Sequence, residues 1–122
     1  MPSMTRRTAL AAFAACAIAT AVAFPAGAQP KAGEPLKIGF VYVSPIGDAG
    51  WTFQHDTGRK EMEKALGGKV ASKYIESVPE GADAERVIRE LAQSGHNLIF
   101  TTSFGYMNPT IKVAQAFPKV SF

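Results

Sequence analysis

The run LKIGFVYV at residues 36–43 is the feature that most constrains the fold of this chain. It is apolar along nearly its whole length, whereas a strand with one face in water alternates apolar and polar residues. A strand of this kind has to be covered on both faces. The sequence therefore predicts a parallel sheet enclosed between helices, which 122 residues can supply as a single domain.

The rest of the chain alternates between helical and extended patterns. Helices are predicted over residues 51–66 and 82–94, and strands within residues 69–78 and over 97–101. Asn108 is the predicted cap of a third helix, because Pro109 suits a first helical position. The apolar residues expected to form the buried side of that helix are Ile111, Ala114 and Phe117.

This order of elements predicts the α/β class, with a three-layer parallel sheet in the order 2-1-3-4 and helices on both faces. Residues 119–122 (KVSF) have the pattern of a fourth strand, at which the sequence stops. We therefore expect residues 37–122 to be an incomplete α/β lobe, truncated at the fourth strand of a longer protein.

Residues 1–28 have the three parts of a secretory signal peptide. Arg6 and Arg7 precede an apolar run over residues 9–24, and Ala26-Gly27-Ala28 supplies the small residues that signal peptidase requires. We expect cleavage after Ala28 and export to the periplasm by the general secretory or the twin-arginine route. Residues 29–36 are predicted to be a flexible lead-in.

Charge and cysteine content exclude several functions. The formal charge of +3 arises largely from Arg6 and Arg7, so it does not indicate nucleic-acid binding. The apolar run is short for a membrane span, and no stable membrane insertion is expected after cleavage. Cys16 is the single cysteine and would leave with the signal peptide. The mature chain would then lack thiol catalysis and Cys-ligated metals.

Ligands of open parallel sheets bind at the carboxyl ends of the strands, where connections leave toward opposite faces. In the predicted order this crevice lies between the first and third strands. Flat rings there could stack on a heterocycle or a sugar, and polar groups could bond its edge. The candidate ligand-binding residues in the two loops are Asp48, Trp51, Ser103, Phe104, Tyr106 and Asn108. Alternatively, Trp51 begins the core of its helix and Tyr106 is a surface ring.

Other chemistries are poorly supported. His55 and His96 are expected at separate places in the fold, which does not suit a metal site. No serine has a suitably placed base, so a hydrolytic triad is not indicated. Gly47-x-x-Gly50 is only half of a dinucleotide fingerprint, although Glu76 ends the second strand where such domains hold a ribose. We expect no cofactor and no metal.

Three motifs resemble those of the basic membrane protein (BMP) family, substrate-binding proteins of ABC transporters whose best-known members bind purine nucleosides. The resemblance spans residues 37–122 and rests on the stretches GDAGWT (47–52), QHDTGR (54–59) and SFGYM (103–107). It implies the amino-terminal lobe of a type I periplasmic binding protein. It also implies a receptor that is not an enzyme and that delivers its ligand to permease subunits.

The resemblance also implies roles for single residues. Trp51 matches the aromatic residue that stacks on the base. Thr52 stands where an Asn often helps to hold the ribose, and Asn108 stands where an acidic residue often does so. Both departures leave a purine base such as adenine at least as suitable as a nucleoside. The alternatives are a sugar receptor of the same fold and an exported nucleoside-processing enzyme.

The signal-peptide pattern predicts that the exported protein begins at Gln29, because peptidase would cut behind Ala26-Gly27-Ala28. Amino-terminal sequencing of protein recovered from the periplasm measures this directly. A mature protein that begins at a lipid-modified Cys16 would contradict the prediction.

Overall fold

The computed structural model describes residues 30–122 and contains one parallel sheet of three strands. The strands are β1 (Leu36–Val41), β2 (Val70–Ile75) and β3 (Leu98–Thr101), in the order β2-β1-β3. On the free side of β3, Leu98 forms a parallel bridge with Ser121. The predicted α/β class and sheet order are therefore confirmed. The predicted signal peptide lies outside the described residues.

Three helices connect these strands. They are α1 (Trp51–Leu66), α2 (Ala82–Gln93) and α3 (Met107–Ala116), with 3₁₀ turns at Gly67–Lys69 and Phe104–Tyr106. Helix α1 has the predicted bounds. It ends where Gly67 adopts a φ of 52°, a backbone conformation that favours glycine. No helix within residues 30–122 is long and apolar enough to cross a membrane.

Strand β1 lies at the centre of the sheet and is buried on both faces, as its sequence predicted. Ile38, Phe40 and Tyr42 belong to a cluster on one face, where Met62 of α1 packs against them. Val41 belongs to a second cluster on the opposite face. The alternation of side chains along a strand thus sends neighbouring residues into different cores.

The second core is built mainly by α2. The predicted apolar face of this helix is confirmed, since all of its members are buried: Ala84, Val87, Ile88, Leu91 and Ala92. They pack with Ile99 of β3 and Val113 of α3. The two helices therefore cover one face of the sheet while α1 covers the other.

Helix α3 departs from the prediction in its start and its buried side. It begins at Met107, directly after the 3₁₀ turn, and Asn108 lies inside its first turn rather than capping it. Of the predicted buried side, Ile111 is exposed, while Ala114 is half-buried and Phe117 packs against the second core. The fully enclosed residues of the helix are instead Pro109 and Val113. The buried Tyr106 at the end of the 3₁₀ turn sets this phase, because positions 109 and 113 follow it at helical spacing.

The space around two glycines, Gly39 in β1 and Gly58 in α1, predicts that a larger residue lowers stability at the first and raises it at the second. A Cβ on Gly39 would lie 3.0 Å from Leu91 Cδ1, so Gly39→Val should lower the free energy of unfolding by about 1–3 kcal/mol through overpacking. Gly58 lies inside α1 with no neighbour near its Cβ position, so Gly58→Ala should raise stability by about 0.5–1 kcal/mol.

Urea denaturation of both variants beside the wild type provides the measurement. A neutral Gly39→Val variant would mean that α2 does not pack closely on β1.

Candidate functional site

The loops that follow β1 and β3 meet at one edge of the sheet, and Trp51 joins them. Trp51 is the first residue of α1, and its indole Nε1 donates a hydrogen bond of 2.6 Å to the carbonyl oxygen of Thr102. The ring therefore extends from the end of the β1 loop to the end of β3. Its side chain is 64% exposed, so Trp51 is not a core residue of its helix.

The orientation of the Trp51 ring is fixed by a second contact. His55, one turn later on α1, packs on the indole with ring centroids 4.6 Å apart. His55 Nδ1 lies 2.8 Å from the carbonyl oxygen of Trp51. The indole is thus held at its N–H edge and against one neighbour, while most of its surface stays open.

Phe104 provides a second exposed ring at this edge. It begins the 3₁₀ turn after β3 and is 88% exposed, the highest exposure among the large apolar side chains of the described residues. Ser103, directly before it, donates its hydroxyl to Glu80 Oε1 at 2.5 Å. Sequence reasoning missed Glu80, because loop-to-loop contacts of this kind leave no periodic signal.

Tyr106 and Thr52 were predicted to contact the ligand, but the structure places both inside the protein. Tyr106 is fully buried, and its hydroxyl donates to the Val78 carbonyl oxygen at 2.6 Å. Burial, and then the charge of Glu80, raise its pKa to about 12. Thr52 is buried and shares a hydrogen bond of 2.7 Å with Ser44. Thr52 thus links the start of α1 to the loop after β1, and Tyr106 links the 3₁₀ turn to the segment after β2.

Asp48 and Asn108 are exposed, but they stand on different parts of the edge. Asp48 lies in the loop after β1, where the Ile46 amide donates to Glu76 Oε2 at 2.9 Å. Glu76 thus fixes this loop, which does not favour the ribose role of the dinucleotide alternative. Asn108 lies beside Gly81 at the start of α2.

Helix α1, which carries Trp51, is attached to the sheet by polar groups. Its buried residues are Thr52, Asp56 and Arg59. Asp56 is 1% exposed and accepts a hydrogen bond of 2.7 Å from Arg59 Nε and one of 3.4 Å from the Tyr42 hydroxyl. Sequence reasoning missed this network. Polar residues at positions 52, 56 and 59 share one helical face, and that spacing was the available signal.

Arg59 extends the network to β2. Its Nη1 donates to Ser72 Oγ at 3.0 Å and to Glu63 Oε2 at 3.1 Å. The guanidinium carbon also lies 4.8 Å from the centre of the Tyr74 ring, a cation–π distance. One side chain therefore links α1 to two residues of the neighbouring strand.

The charges of this network are balanced. Burial acts to raise the pKa of Asp56, but hydrogen bonds from Arg59 and Lys60 outweigh it and lower the pKa below its usual value. Burial, and then the Asp56 charge, raise the pKa of Tyr42 to about 12. At neutral pH the carboxylate is therefore ionised and the phenol is neutral. The part of the chain that the structure describes holds no group of three or more potential metal-ligating side chains.

The family model of PnrA-like ABC transporter substrate-binding proteins, named Bmp, matches residues 36–122. The chain belongs to this family. A purine-binding protein of Brucella abortus (strain 2308) is 57% identical over 105 residues, which are 86% of this chain. A putative ABC transporter glucose-binding protein of Haloferax volcanii is 36% identical over 96 residues, or 79% of the chain. This Bmp chain spans 30% and 24% of the lengths of these two relatives.

Solved structures support the same fold. A solute-binding protein of an ABC transporter system from Conexibacter woesei superposes with a TM-score of 0.61 at 24% identity, over 70% of this chain and 27% of that one. A counterpart from Aeropyrum pernix K1 gives 0.61 at 25% identity, over 70% and 23%. The described residues of this Bmp chain therefore have the architecture of part of an ABC solute-binding protein.

The Asp56 network predicts that removing the Asp56 carboxylate destabilises the protein strongly, whereas removing the Lys60 side chain destabilises it only slightly. Asp56→Ala removes the buried carboxylate that pairs with Arg59, leaves only the more exposed Glu63 as its ionic partner, and should cost about 3–5 kcal/mol of unfolding free energy. Lys60 also contacts Asp56, at 2.9 Å, but its side chain is 66% exposed, so Lys60→Ala should cost less than about 1 kcal/mol. Urea denaturation at pH 7 measures both.

Measurements at low pH test whether the contribution of Asp56 to stability is electrostatic. The pKa of Asp56 lies below its ordinary 3.8, so the stability that its ionised form contributes is present above that pH and is lost as the pH falls further. The stability difference between the wild type and Asp56→Asn should therefore shrink below about pH 4. Equal differences at pH 3 and pH 7 would contradict an electrostatic role.

Proposed function

We propose that this chain is the amino-terminal lobe of a two-lobed, non-enzymatic periplasmic receptor that binds a purine base or nucleoside for an ABC importer. Residues 1–28 would be removed on export. The observation that carries the proposal is the exposed Trp51 indole, which its hydrogen bond to Thr102 holds at the edge where the two loops meet.

An exposed indole whose orientation is fixed by its neighbours is suited to stacking on a flat heterocycle. Stacking of a base on an aromatic side chain contributes about 1–3 kcal/mol, and a ring that is already ordered loses little entropy on binding. His55 and Thr102 order Trp51 without covering most of it. Phe104 offers a second ring from the β3 loop.

Polar groups at the same edge of the sheet would form hydrogen bonds with the polar edge of the ligand. The Asp48 carboxylate can accept from an amino group or a ring N–H, and the Asn108 amide can donate or accept. The Ser103 hydroxyl, which donates its hydrogen to Glu80, can still accept. Thr52 and Tyr106, which are buried, would support these loops rather than touch the ligand.

The relatives support the ligand class and the two-lobed form. The Brucella abortus relative is named a purine-binding protein and is 57% identical. This chain spans 30% of that relative, which leaves length for a second lobe that would close over the ligand and present the opposing ring. Membership in the Bmp family supports permease subunits as partners.

A sugar is the second candidate, because the Haloferax volcanii relative is named a putative glucose-binding protein. Sugars also stack on aromatic rings, but their hydroxyls call for many directed polar groups. Two exposed rings at this edge favour the purine. The enzyme alternative has less support, since the imidazole nearest to Trp51 bonds the carbonyl oxygen of Trp51 itself.

Trp51→Ala in the full-length receptor should weaken adenine or adenosine binding about 5- to 150-fold, the equivalent of the stacking energy. Trp51→Phe should retain much of the affinity, because a smaller ring still offers a face. Titration calorimetry measures the affinities, and thermal melting confirms that each variant is folded.

Leu66→Ala is the matched control. Leu66 is the last residue of α1 and is exposed like Trp51, but it lies at the opposite end of the helix. It should bind like the wild type. Unchanged affinity in folded Trp51→Ala protein would show that the ligand does not stack on this ring.

A further inference from the structure

Glu80 lies in the segment between β2 and α2, and nothing in the ligand-binding proposal uses it. A single oxygen of its carboxylate, Oε1, accepts two hydrogen bonds from the loop after β3. One comes from the Ser103 hydroxyl and the other, at 3.2 Å, from the Gly105 amide. These two residues flank Phe104, so Glu80 holds the backbone on both sides of the exposed ring.

The fit between Glu80 and this turn is close. A Cβ on residue 105 would overlap the Glu80 carboxylate. Gly105 is not among the described glycines with a positive φ, so its backbone does not itself demand glycine. The absence of a side chain at this position is explained by the approach of the carboxylate.

The same segment also holds the far end of the turn. Tyr106 donates its hydroxyl to the Val78 carbonyl oxygen, two residues before Glu80. The turn that carries Phe104 is therefore fastened to residues 78–80 at both ends. Phe104 is 88% exposed, so few packing contacts fix the orientation of its ring. The position of the ring therefore depends on the backbone that these hydrogen bonds hold.

We propose that Glu80 is a positioning residue for ligand binding, which orders the Phe104 turn through Ser103 and Gly105. This inference rests on the proposed purine-binding function. Glu80 need not touch the ligand. Its effect is to order the ring before the ligand arrives, which removes part of the entropy cost of binding.

A double-mutant cycle in the full-length receptor tests the proposal. Glu80→Ala should weaken adenine affinity at least about threefold, and Gly105→Ala should do the same by displacing the carboxylate. In the Glu80→Ala background Gly105→Ala should add little, because the group with which it clashes is gone. Glu80→Gln keeps an acceptor oxygen and should recover much of the affinity.

Two further variants separate positioning from general stability. Glu90→Ala removes an exposed carboxylate on α2 that contacts Arg86 rather than the turn, and it should leave adenine affinity unchanged. In a Phe104→Ala background, Glu80→Ala should no longer weaken binding. If Glu80 were only structural, Glu80→Ala would lower the melting temperature while the folded protein bound adenine normally.

A measurement without ligand distinguishes this proposal from the proposed function. Amide hydrogen exchange at Gly105 should be faster in Glu80→Ala than in the wild type and unchanged in Glu90→Ala. Unchanged exchange in Glu80→Ala would overturn the proposal, and so would faster exchange with unchanged adenine affinity. If the wild-type receptor bound neither adenine nor adenosine while exchange responded as expected, the purine ligand would be wrong and the ordering of the turn by Glu80 would stand.

Discussion

The burial of β1 on both faces is the constraint on which the rest of the structure depends. Because neighbouring residues of the strand enter different cores, α1 has to lie on one face and α2 and α3 on the other. Right-handed crossovers between parallel strands then fix which loops meet at the carboxyl edge. The exposed rings of Trp51 and Phe104 stand on those loops. The candidate site is thus a consequence of how one apolar strand is covered.

The two sides of the sheet are held by different forces. Apolar side chains pack α2 on β1 and β3, whereas the fully buried contacts of α1 are those of Thr52, Asp56 and Arg59. Apolar contacts have no preferred direction, while the charged hydrogen bond of 2.7 Å from Arg59 to Asp56 is directional and adds a further constraint on the position of α1. This arrangement suits the proposed role of Trp51, because a ring that is already ordered loses less entropy on binding.

The predictable parts of this molecule were those with a local signal. Apolar runs located the strands, and the predicted range 51–66 matched the bounds of α1. The phase of α3 was mistaken because a 3₁₀ turn precedes the helix, and the periodicity of the sequence does not indicate such a turn. For the same reason Tyr106 was assigned to the ligand surface although it is buried. The contacts of Glu80 with the β3 loop join residues far apart in sequence, and only the folded chain brings them together.

The central claim is that the receptor holds a planar purine against the exposed indole. Native mass spectrometry of the full-length protein, purified without added ligand, tests this proposal, because a ligand that dissociates slowly stays bound through purification. We expect an added mass equal to that of a purine base or nucleoside, which Trp51→Ala protein should lack. Retention of a hexose by both proteins, with no purine, would contradict it.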